Sequence, residues 1–360
     1  MPLKVHNYES GERGRRLARL HPMTDISDFI RQLPKAELHM HLEGSIEPEM
    51  MLTLAKRNGL TLRWDSSEAL RNAYDFSSLQ DFLNLYFEGC KVLVTQEDFY
   101  DITRAYLRRC AVDNVVHAEM FIGPQSFTER GVTIESLMNG VLGAMDDAKR
   151  EDGISSGLLI SAHRHRSETE AFTLLDSIAP WNDRIAGIGM GGPEVGNPPS
   201  KFTGFFAESK RRGFKISIHA GEEGPAAYVR EAVELLNVDR IDHGNAALTD
   251  ASLVQVLKER AIPLTVCPLS NLRLKVVDSL EHHPLKKMLD AGLLATVNSD
   301  DPPYFGGYVN ENLIEVQRSL SLERDVIVQL ARNSVEAAFI AEGRKTGYQS
   351  DIDSFVARQG

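Results

Sequence analysis

The stretch AELHMHL at residues 36–42 is the first of eight short segments that decide the fold. It has the mixed apolar and polar pattern that is typical of a β-strand. Amphipathic helical patterns separate the eight segments, and strands that alternate with helices form parallel sheets. A count of eight favours a closed (β/α)8 TIM barrel, although a doubly wound open α/β sheet gives similar local signals. The other seven predicted strands lie near residues 114–123, 156–163, 184–191, 214–220, 240–244, 262–268 and 293–299.

The segments between the predicted strands carry helix signals. Ser167 and Glu170 match a capping box, which marks a helix start, and Pro180 lies where that helix would end. Apolar residues recur at the spacing of one helix face after the fifth and sixth strands, at Val229, Ala232, Val233, Leu236, Leu253, Val256 and Leu257. These strands are therefore each predicted to lead into a helix.

One connection is much longer than the others, since residues 44–112 separate the first two strands. It carries helical patterns near 47–58, closed by Asn58 and Gly59, and near 77–110. An insertion at the carboxyl end of a barrel strand lies over the active-site face. Residues 44–112 are therefore predicted to form a helical cap.

The remaining length fits one domain. Division of 360 residues by about 150 residues per domain suggests two, but barrels of this class span roughly 200 to 400 residues. We predict a single α/β barrel domain at 26–360 that ends in helices from about residue 310. Residues 1–25 hold four arginines without apolar periodicity, and we predict a flexible arm there.

Composition narrows the class of protein. With 51 acidic and 40 basic residues, a net charge of -11 and 42% hydrophobic residues, the chain is expected to be globular and not to bind nucleic acid. Three scattered cysteines form neither a disulfide framework nor a Cys-x-x-Cys motif, which favours a cytoplasmic location. We see no apolar segment typical of a signal peptide or membrane span. The oligomeric state is left open, a homo-oligomer included.

Two histidines in the first strand are candidate metal ligands. His39 and His41 lie two apart, so their imidazoles point to the same face and can bind one metal at the mouth of a barrel. His163 and His165 repeat this spacing, but two neighbouring arginines disfavour a cation there, and we interpret them as ordinary loop histidines. A lone buried histidine is more often structural than a ligand.

Further polar residues follow other strands. His219 closes the fifth strand, His243 the sixth, and Asp300 with Asp301 the eighth. The carboxyl ends of barrel strands converge on one mouth, so these side chains are expected to meet the first-strand histidines. Three imidazoles and one carboxylate suit Zn²⁺ with an open position for water.

Each acidic candidate also has a simpler interpretation. Glu222 can be a carboxylate that stabilises the start of a helix, or a proton donor whose pKa a dry pocket raises. Asp300 and Asp301 can form a turn before the following prolines. The pair His282 and His283 precedes Pro284 and is interpreted as a surface turn.

Five segments together resemble the adenosine/adenine deaminase family of the amidohydrolase superfamily. In chain order they read ELHMHLEGS, SIHAGEEGP, RIDHG, VCPLSN and TVNSDDPPYF, and they span residues 37 to about 305. The resemblance implies one Zn²⁺ per subunit, with the ligands His39, His41, His219 and Asp300. It also implies that Glu222 protonates purine N1, that His243 orients and helps deprotonate the metal-bound water, and that Asp301 hydrogen-bonds purine N7. Asp300 is expected to be a catalytic residue as well as a ligand.

The resemblance is closer to the branch that deaminates the free base adenine. Glu43 stands where adenosine deaminases usually have an Asp that contacts the ribose. Where the adenine branch usually reads roughly Leu-Asp-Ser-Ser-Glu, this chain reads MGGPE at 190–194, which removes polar groups and opens space beside the base. The backbone N–H of Gly192 can still meet N3, and Glu194 remains. The expected substrate is adenine or an N6-substituted adenine such as a cytokinin, converted to hypoxanthine with release of ammonia or an amine.

Other functions stay open at this point. Adenosine deamination is one, another mononuclear amidohydrolase activity is a second, and a catalytically inactive binding barrel is a third. Fe²⁺ or Mn²⁺ can occupy a similar ligand set in place of Zn²⁺. Apolar residues near 77–110 are interpreted mainly as the core of the cap, some of them at the pocket entrance.

Overall fold

A computed structural model describes residues 25–359, so the predicted arm at 1–25 lies outside the described residues except for Asp25. Eight strands form one parallel sheet in which each strand pairs with the next one along the chain. They are β1 (Lys35–Glu37), β2 (Val115–Ile122), β3 (Ser155–His163), β4 (Gly187–Gly191), β5 (Lys215–Ala220), β6 (Arg240–His243), β7 (Leu264–Val266) and β8 (Ala295–Val297).

The sheet closes between its two ends. The backbone N–H of His41 donates to the carbonyl of Asp300 at 2.9 Å, and the N–H of Asp300 donates to the carbonyl of His39 at 3.0 Å. Met40 and Asp300 form a parallel bridge between these bonds. The predicted (β/α)8 barrel is therefore confirmed, because a doubly wound sheet would leave both edge strands unpaired.

The first strand is shorter than the predicted 36–42. Regular pairing ends at Glu37, and isolated bridges at Met40 and His41 continue the strand direction to the barrel mouth. The chain here makes bridges to both neighbours, the segment after β8 on one side and β2 on the other. The first two candidate histidines thus lie on backbone that both neighbours hold in place.

Helices surround the barrel. The capping box predicted at Ser167 and Glu170 is present and starts the helix after β3, which ends at Ser177 ahead of Pro180. The helices are α1 (Ile26–Gln32), α2 (Pro48–Arg57), α3 (Ser67–Asn72), α4 (Leu79–Gly89), α5 (Gln96–Val112), α6 (Gln125–Thr128), α7 (Ile134–Glu151), α8 (Glu168–Ser177), α9 (Thr203–Arg211), α10 (Ala226–Glu234), α11 (Ala251–Glu259), α12 (Pro268–Arg273), α13 (Leu285–Asp290), α14 (Pro302–Phe305), α15 (Val309–Leu320), α16 (Arg324–Glu336) and α17 (Glu342–Gln359).

Helices α2 to α5 occupy the long connection between β1 and β2. The helical pattern near 77–110 forms two α-helices, because Thr95 and Asp98 make a capping box that starts α5. In α4, the ring of Phe82 packs on Phe305, with centroids 4.7 Å apart, just beyond the end of β8. Helix α4 therefore lies over the carboxyl ends of the strands.

The lower half of the barrel interior is polar but fully paired. Arg240, at the start of β6, is completely buried and donates to Glu119 on β2 at 2.6 Å and to the hydroxyl of Ser217 on β5 at 2.9 Å. This network joins strands on opposite sides of the barrel beneath the mouth. Within the described residues, no helix has both the length and the hydropathy needed to cross a bilayer.

Candidate active site

Three imidazoles and a carboxylate meet at the carboxyl ends of the strands. The Nε2 atom of His219 lies 3.1 Å from Nε2 of His39 and 3.1 Å from Nε2 of His41. Oδ1 of Asp300 lies 3.5 Å from the first of these two imidazoles and 3.4 Å from the second. The four side chains predicted as metal ligands are thus brought together from β1, β5 and the end of β8.

Polar contacts behind two of the imidazoles orient their lone pairs inward. The carbonyl of Thr265 lies 3.1 Å from Nδ1 of His39, so Nδ1 carries the proton and Nε2 is left unprotonated. The carboxylate of Asp242 on β6 lies 3.4 Å from Nδ1 of His219, a close electrostatic contact that favours a proton on that nitrogen. This histidine and carboxylate arrangement is a recurrent support for metal ligands.

Asp242 was not singled out in the sequence, although it lies in the RIDHG segment directly before His243. It is completely buried and accepts hydrogen bonds from Ser217 at 2.7 Å and from Thr265 at 2.8 Å. Burial alone would raise its pKa, but the neighbouring imidazoles and Arg240 hold the pKa well below its usual value. Asp242 is therefore a carboxylate, as its support of His219 requires.

The electrostatics of the cluster fit a bound cation. Burial lowers the pKa of His39, and it lowers the pKa of His41 to about 3, so both rings are neutral. Neutral nitrogens that face each other at 3.1 Å without a proton between them repel, and a divalent cation removes that repulsion. The donor set of three imidazole nitrogens and one carboxylate oxygen fits a single divalent metal ion.

Glu222 and His243 lie beside this cluster. Oε1 of Glu222 is 3.6 Å from Nε2 of His243, and that nitrogen is 3.8 Å from Oδ2 of Asp300. Burial, then the charge of Asp300, raises the pKa of Glu222 well above its usual value, so this carboxyl holds a proton. His243 and Asp300 both adopt left-handed backbone, with φ of 64° and 62°, a strained conformation for residues with side chains.

Asp301 completes the acidic wall. It is buried, and its Oδ1 atom has no hydrogen-bond partner among the described residues. Burial and the adjacent Asp300 raise the pKa of Asp301 well above the usual range. A protonated Asp301 can donate to an acceptor nitrogen of a ligand, whereas an ionised Asp301 cannot.

Glu194 does not lie where a substrate contact was expected. Its two carboxylate oxygens accept four backbone N–H bonds of 2.6 to 3.0 Å from the residues Gly221, Glu222, Glu223 and Gly224. It is buried and absent from the residues that line the cavity. The expectation of substrate binding is corrected: Glu194 holds the loop after β5 that carries Glu222, and so positions the proton donor.

The cavity above the cluster has an apolar roof and a polar floor. Glu43 lies in its wall, where Oε1 accepts from the N–H of Gly123 at 2.8 Å and Oε2 has no partner among the described residues. Burial raises the pKa of Glu43 to about 7. Gly192 also lines the wall. Five residues of α4 form the roof: Leu79, Phe82, Leu83, Tyr86 and Phe87.

One of the two discounted loop histidines belongs to this cavity. His163 ends β3, lines the cavity and lies 3.2 Å from the hydroxyl of Ser126 through Nε2. It fits there because Gly123 has no side chain: a Cβ at that position would lie 2.9 Å from Nε2 of His163. His165 stacks on His163 and stands behind Gly192. The expectation of ordinary loop histidines is therefore wrong for the placement of His163.

The interpretation of His282 and His283 as a surface turn is half right. His282 is exposed, whereas His283 is 2% exposed and bonds Asn271, whose amide in turn contacts His243. Sequence reasoning missed this role of Asn271, although the residue ends the VCPLSN segment of the resemblance. A turn with Pro284 is visible in a sequence, but the direction of each imidazole is not.

Comparison with known proteins places the chain in a family. A family model described as adenosine deaminase matches residues 34–355. An adenine deaminase of Rhodopseudomonas palustris is 62% identical over 93% of this chain and 98% of that protein. An adenine deaminase of Caulobacter vibrioides is 50% identical over 93% of this chain and 99% of that protein.

Solved structures agree in fold. The crystal structure of an adenine deaminase from Arthrobacter aurescens has a TM-score of 0.89 and 44% identity, over 90% of this chain and 99% of that chain. An amidohydrolase from Burkholderia ambifaria with bound Zn has a TM-score of 0.85 and 27% identity, over 95% of this chain and 97% of that chain. The chain belongs to the adenosine deaminase family, whose members are hydrolases that act on the C–N bond of amidines.

Proposed function

We propose that this protein hydrolytically deaminates the free base adenine to hypoxanthine and ammonia. The observation that carries the proposal is the placement of Glu222, a buried carboxyl on a loop that four backbone hydrogen bonds to Glu194 hold next to the His39, His41, His219 and Asp300 cluster. A proton donor beside a set of metal ligands is what the attack of water on an amidine carbon requires.

The residues of the chain divide the task between them. The cluster of His39, His41, His219 and Asp300 would hold a divalent metal ion, which would supply a water molecule with a pKa lowered towards neutrality. Glu222 donates its proton to purine N1, which makes C6 electron-poor and open to attack by water. His243 lies 3.6 Å from Glu222 and hydrogen-bonds the attacking oxygen. The 6-amino group takes one proton of the attacking water and leaves as ammonia, and the second water proton restores Glu222. C6 keeps the oxygen, so the product is a 6-oxopurine.

Three groups would hold the purine. Protonated Asp301 donates to N7, which is an acceptor in adenine. The N–H of Gly192, in the opposite wall, meets N3. Glu43 presents one free carboxylate oxygen to the cavity and accepts the remaining ring N–H of the base.

The Glu43 contact favours a base over a nucleoside. In adenosine, ribose replaces the hydrogen on N9, so the carboxylate loses its donor and meets a bulky group instead. We therefore expect kcat/KM to be higher for adenine than for adenosine and AMP. An ultraviolet assay of these three substrates checks this, and equal or higher activity with adenosine would assign the protein to nucleoside deamination.

A second substrate has one specific observation in its favour. Gly191 lines the metal end of the cavity, where a Cβ would lie 3.9 and 4.0 Å from the rings of His219 and His41. The absence of a side chain at this point leaves room next to C6 for a small N6 substituent. N6-methyladenine and N6-isopentenyladenine test it, and a clear preference for unsubstituted adenine in kcat/KM would reject it.

We further propose Zn²⁺ as the metal, one ion per subunit. Imidazole nitrogens and carboxylate oxygens are both ligands of zinc, and the structure of the Burkholderia ambifaria relative has bound Zn. Elemental analysis of the purified protein tests the identity, since Fe²⁺ and Mn²⁺ accept similar ligands. Reconstitution of metal-free protein with each ion in turn then compares the kcat values.

A further inference from the structure

A line of buried side chains runs from the active site to the start of α13. Nδ1 of His243 lies 3.3 Å from Nδ2 of Asn271, and Oδ1 of Asn271 lies 3.1 Å from Nε2 of His283. Nδ1 of His283 lies 3.2 Å from the backbone N–H of Leu285. All three side chains are buried, at 0%, 0% and 2% exposure, so water does not replace these bonds.

The hydrogen bond between Leu285 and His283 determines which atom donates and which accepts in the other two hydrogen bonds. A backbone N–H can only donate, so Nδ1 of His283 is the acceptor and its proton is on Nε2. That N–H donates to Oδ1 of Asn271, which turns the NH₂ group of the amide towards His243. Nδ1 of His243 is then the acceptor, and the single proton of its neutral ring is on Nε2.

Both imidazoles are neutral, as this argument needs. Nδ1 of His283 accepts from the N–H of Leu285 and Nδ1 of His243 accepts from Asn271, and an imidazole nitrogen that accepts a hydrogen bond carries no proton. Burial also lowers the pKa of His283 to about 4. The Nε2 atom of His243 has no hydrogen-bond partner among the described residues and faces Glu222 at 3.6 Å and Asp300 at 3.8 Å. The N–H group at Nε2 of His243 therefore points into the active site.

We infer that His283, acting through Asn271, fixes the tautomer of His243, so that His243 offers an N–H to the attacking oxygen and does not begin the reaction as its base. This inference rests on the proposed deaminase function. Asn271 and His283 are positioning residues, since neither touches the cavity. The proton of the attacking water must then pass to another group, and the carboxyl group of Asp300, whose Oδ2 lies 3.8 Å from Nε2 of His243, is placed to take it.

The opposite order of protons is blocked at one place. In the opposite order, Nε2 of His243 has no proton and the amide group of Asn271 is flipped. Nε2 of His283 then accepts a hydrogen bond from that amide. His283 would then carry its proton on Nδ1, where it would face the N–H of Leu285 at 3.2 Å with two donors in contact. A buried donor without an acceptor costs about 1–3 kcal/mol, so the first order is strongly favoured.

Nitrogen NMR of the metal-loaded protein tests the tautomer directly. In protein labelled with ¹⁵N-histidine, protonated and bare ring nitrogens have well separated shifts, and His243 and His283 are assigned by loss of their signals in His243→Gln and His283→Gln. We expect a protonated Nε2 and a bare Nδ1 in both rings. A protonated Nδ1 in His243 would overturn the inference, whether or not the protein deaminates adenine.

Kinetics test whether the line matters for the reaction. His283→Gln can still accept from Leu285 and donate to Asn271, whereas His283→Leu can do neither. With adenine we expect a kcat loss of about 10–100-fold in His283→Leu, with bound metal retained, and a smaller loss in His283→Gln. The exposed neighbour substitution His282→Leu is the matched control and should leave kcat unchanged.

Two kinetic outcomes would contradict the inference. Unchanged kcat in a folded His283→Leu variant would show that the line does not act on the reaction. Equal losses in His283→Leu and His283→Gln would show that the ring is needed only for packing. If wild-type protein does not deaminate adenine at all, the proposed function fails, and the NMR result still decides the tautomer.

Discussion

The two ends of the barrel interior are both polar, yet they are built in opposite ways. At the lower end, Arg240 is paired with Glu119 and Ser217, and it has no unpaired nitrogen. At the mouth, by contrast, Oε2 of Glu43, Nε2 of His243 and Oδ1 of Asp301 are buried without a hydrogen-bond partner among the described residues. Side chains are equally buried at the two ends, but only at the lower end do all nitrogens of the central Arg240 have hydrogen-bond partners.

The difference separates structural from functional polar residues. A buried polar atom without a partner costs about 1–3 kcal/mol, so several such atoms in the wall of one cavity mark a place where a ligand can supply the missing bonds. The paired lower network joins β2, β5 and β6 and leaves nothing for a ligand. Substitutions at the two ends should accordingly affect different quantities: catalysis and metal binding at the mouth, and stability at the lower end.

The largest effect on the rate is expected at the proton donor. Glu222→Gln keeps the shape of the side chain but cannot supply an acidic proton, so kcat for adenine should fall by about 10²–10⁴-fold while bound metal is retained. Steady-state kinetics and elemental analysis measure both. Glu223→Gln, the adjacent carboxyl, is the matched control. An unaltered rate in Glu222→Gln would remove Glu222 from the mechanism.

A smaller effect is expected behind the metal ligands. Asp242→Asn removes the carboxylate that faces Nδ1 of His219, and metal affinity should fall by about 10–100-fold. Titration with a competing chelator measures the affinity, and added metal should restore much of the activity. Tight metal binding in the variant would mean that His219 keeps its orientation without Asp242.

The loop that carries the proton donor offers an intermediate test. Glu194→Gln has one amide oxygen in place of two carboxylate oxygens, so the four backbone bonds to residues 221–224 cannot all form. We expect kcat to fall by about tenfold, with metal content unchanged, because each net hydrogen bond to a charged group contributes about 1.5–3 kcal/mol. A rise in KM alone would instead support direct substrate binding by Glu194.

The smallest effect on the rate is expected at the lower end. Glu119→Gln leaves Arg240 buried beside a neutral partner, and removal of one member of a buried ion pair costs about 3–5 kcal/mol. Denaturant unfolding should show this loss of stability, whereas kcat and KM at a permissive temperature should match the wild type. A large loss of kcat in the folded variant would show that the two ends are coupled.

Much of the site is predictable from the amino-acid sequence. The residues His39, His41, His219 and Asp300 are predicted as one ligand set, and the structure brings them within bonding distance of a single ion. The four side chains meet because the strands of a barrel all point the same way, so residues at their carboxyl ends converge.

The barrel, the polar residues at its mouth and the family can all be inferred from the order of residues along the chain. Strand period, helix period and five ordered motifs are local features, and local features can be read from the chain alone. The count of eight strands favours a closed barrel. The two backbone hydrogen bonds between Asp300 and the first-strand segment show that the barrel is closed.

The contacts of each polar side chain, in contrast, follow from how distant parts of the chain pack together. Glu194 and Glu222 are both glutamates near strand ends. The carboxylate of Glu194 accepts hydrogen bonds from backbone N–H groups, whereas Glu222 faces the cavity. His283 looked like a turn residue and is buried in a line that ends at His243. The direction of a hydrogen bond depends on partners far along the chain, and no spacing rule specifies them.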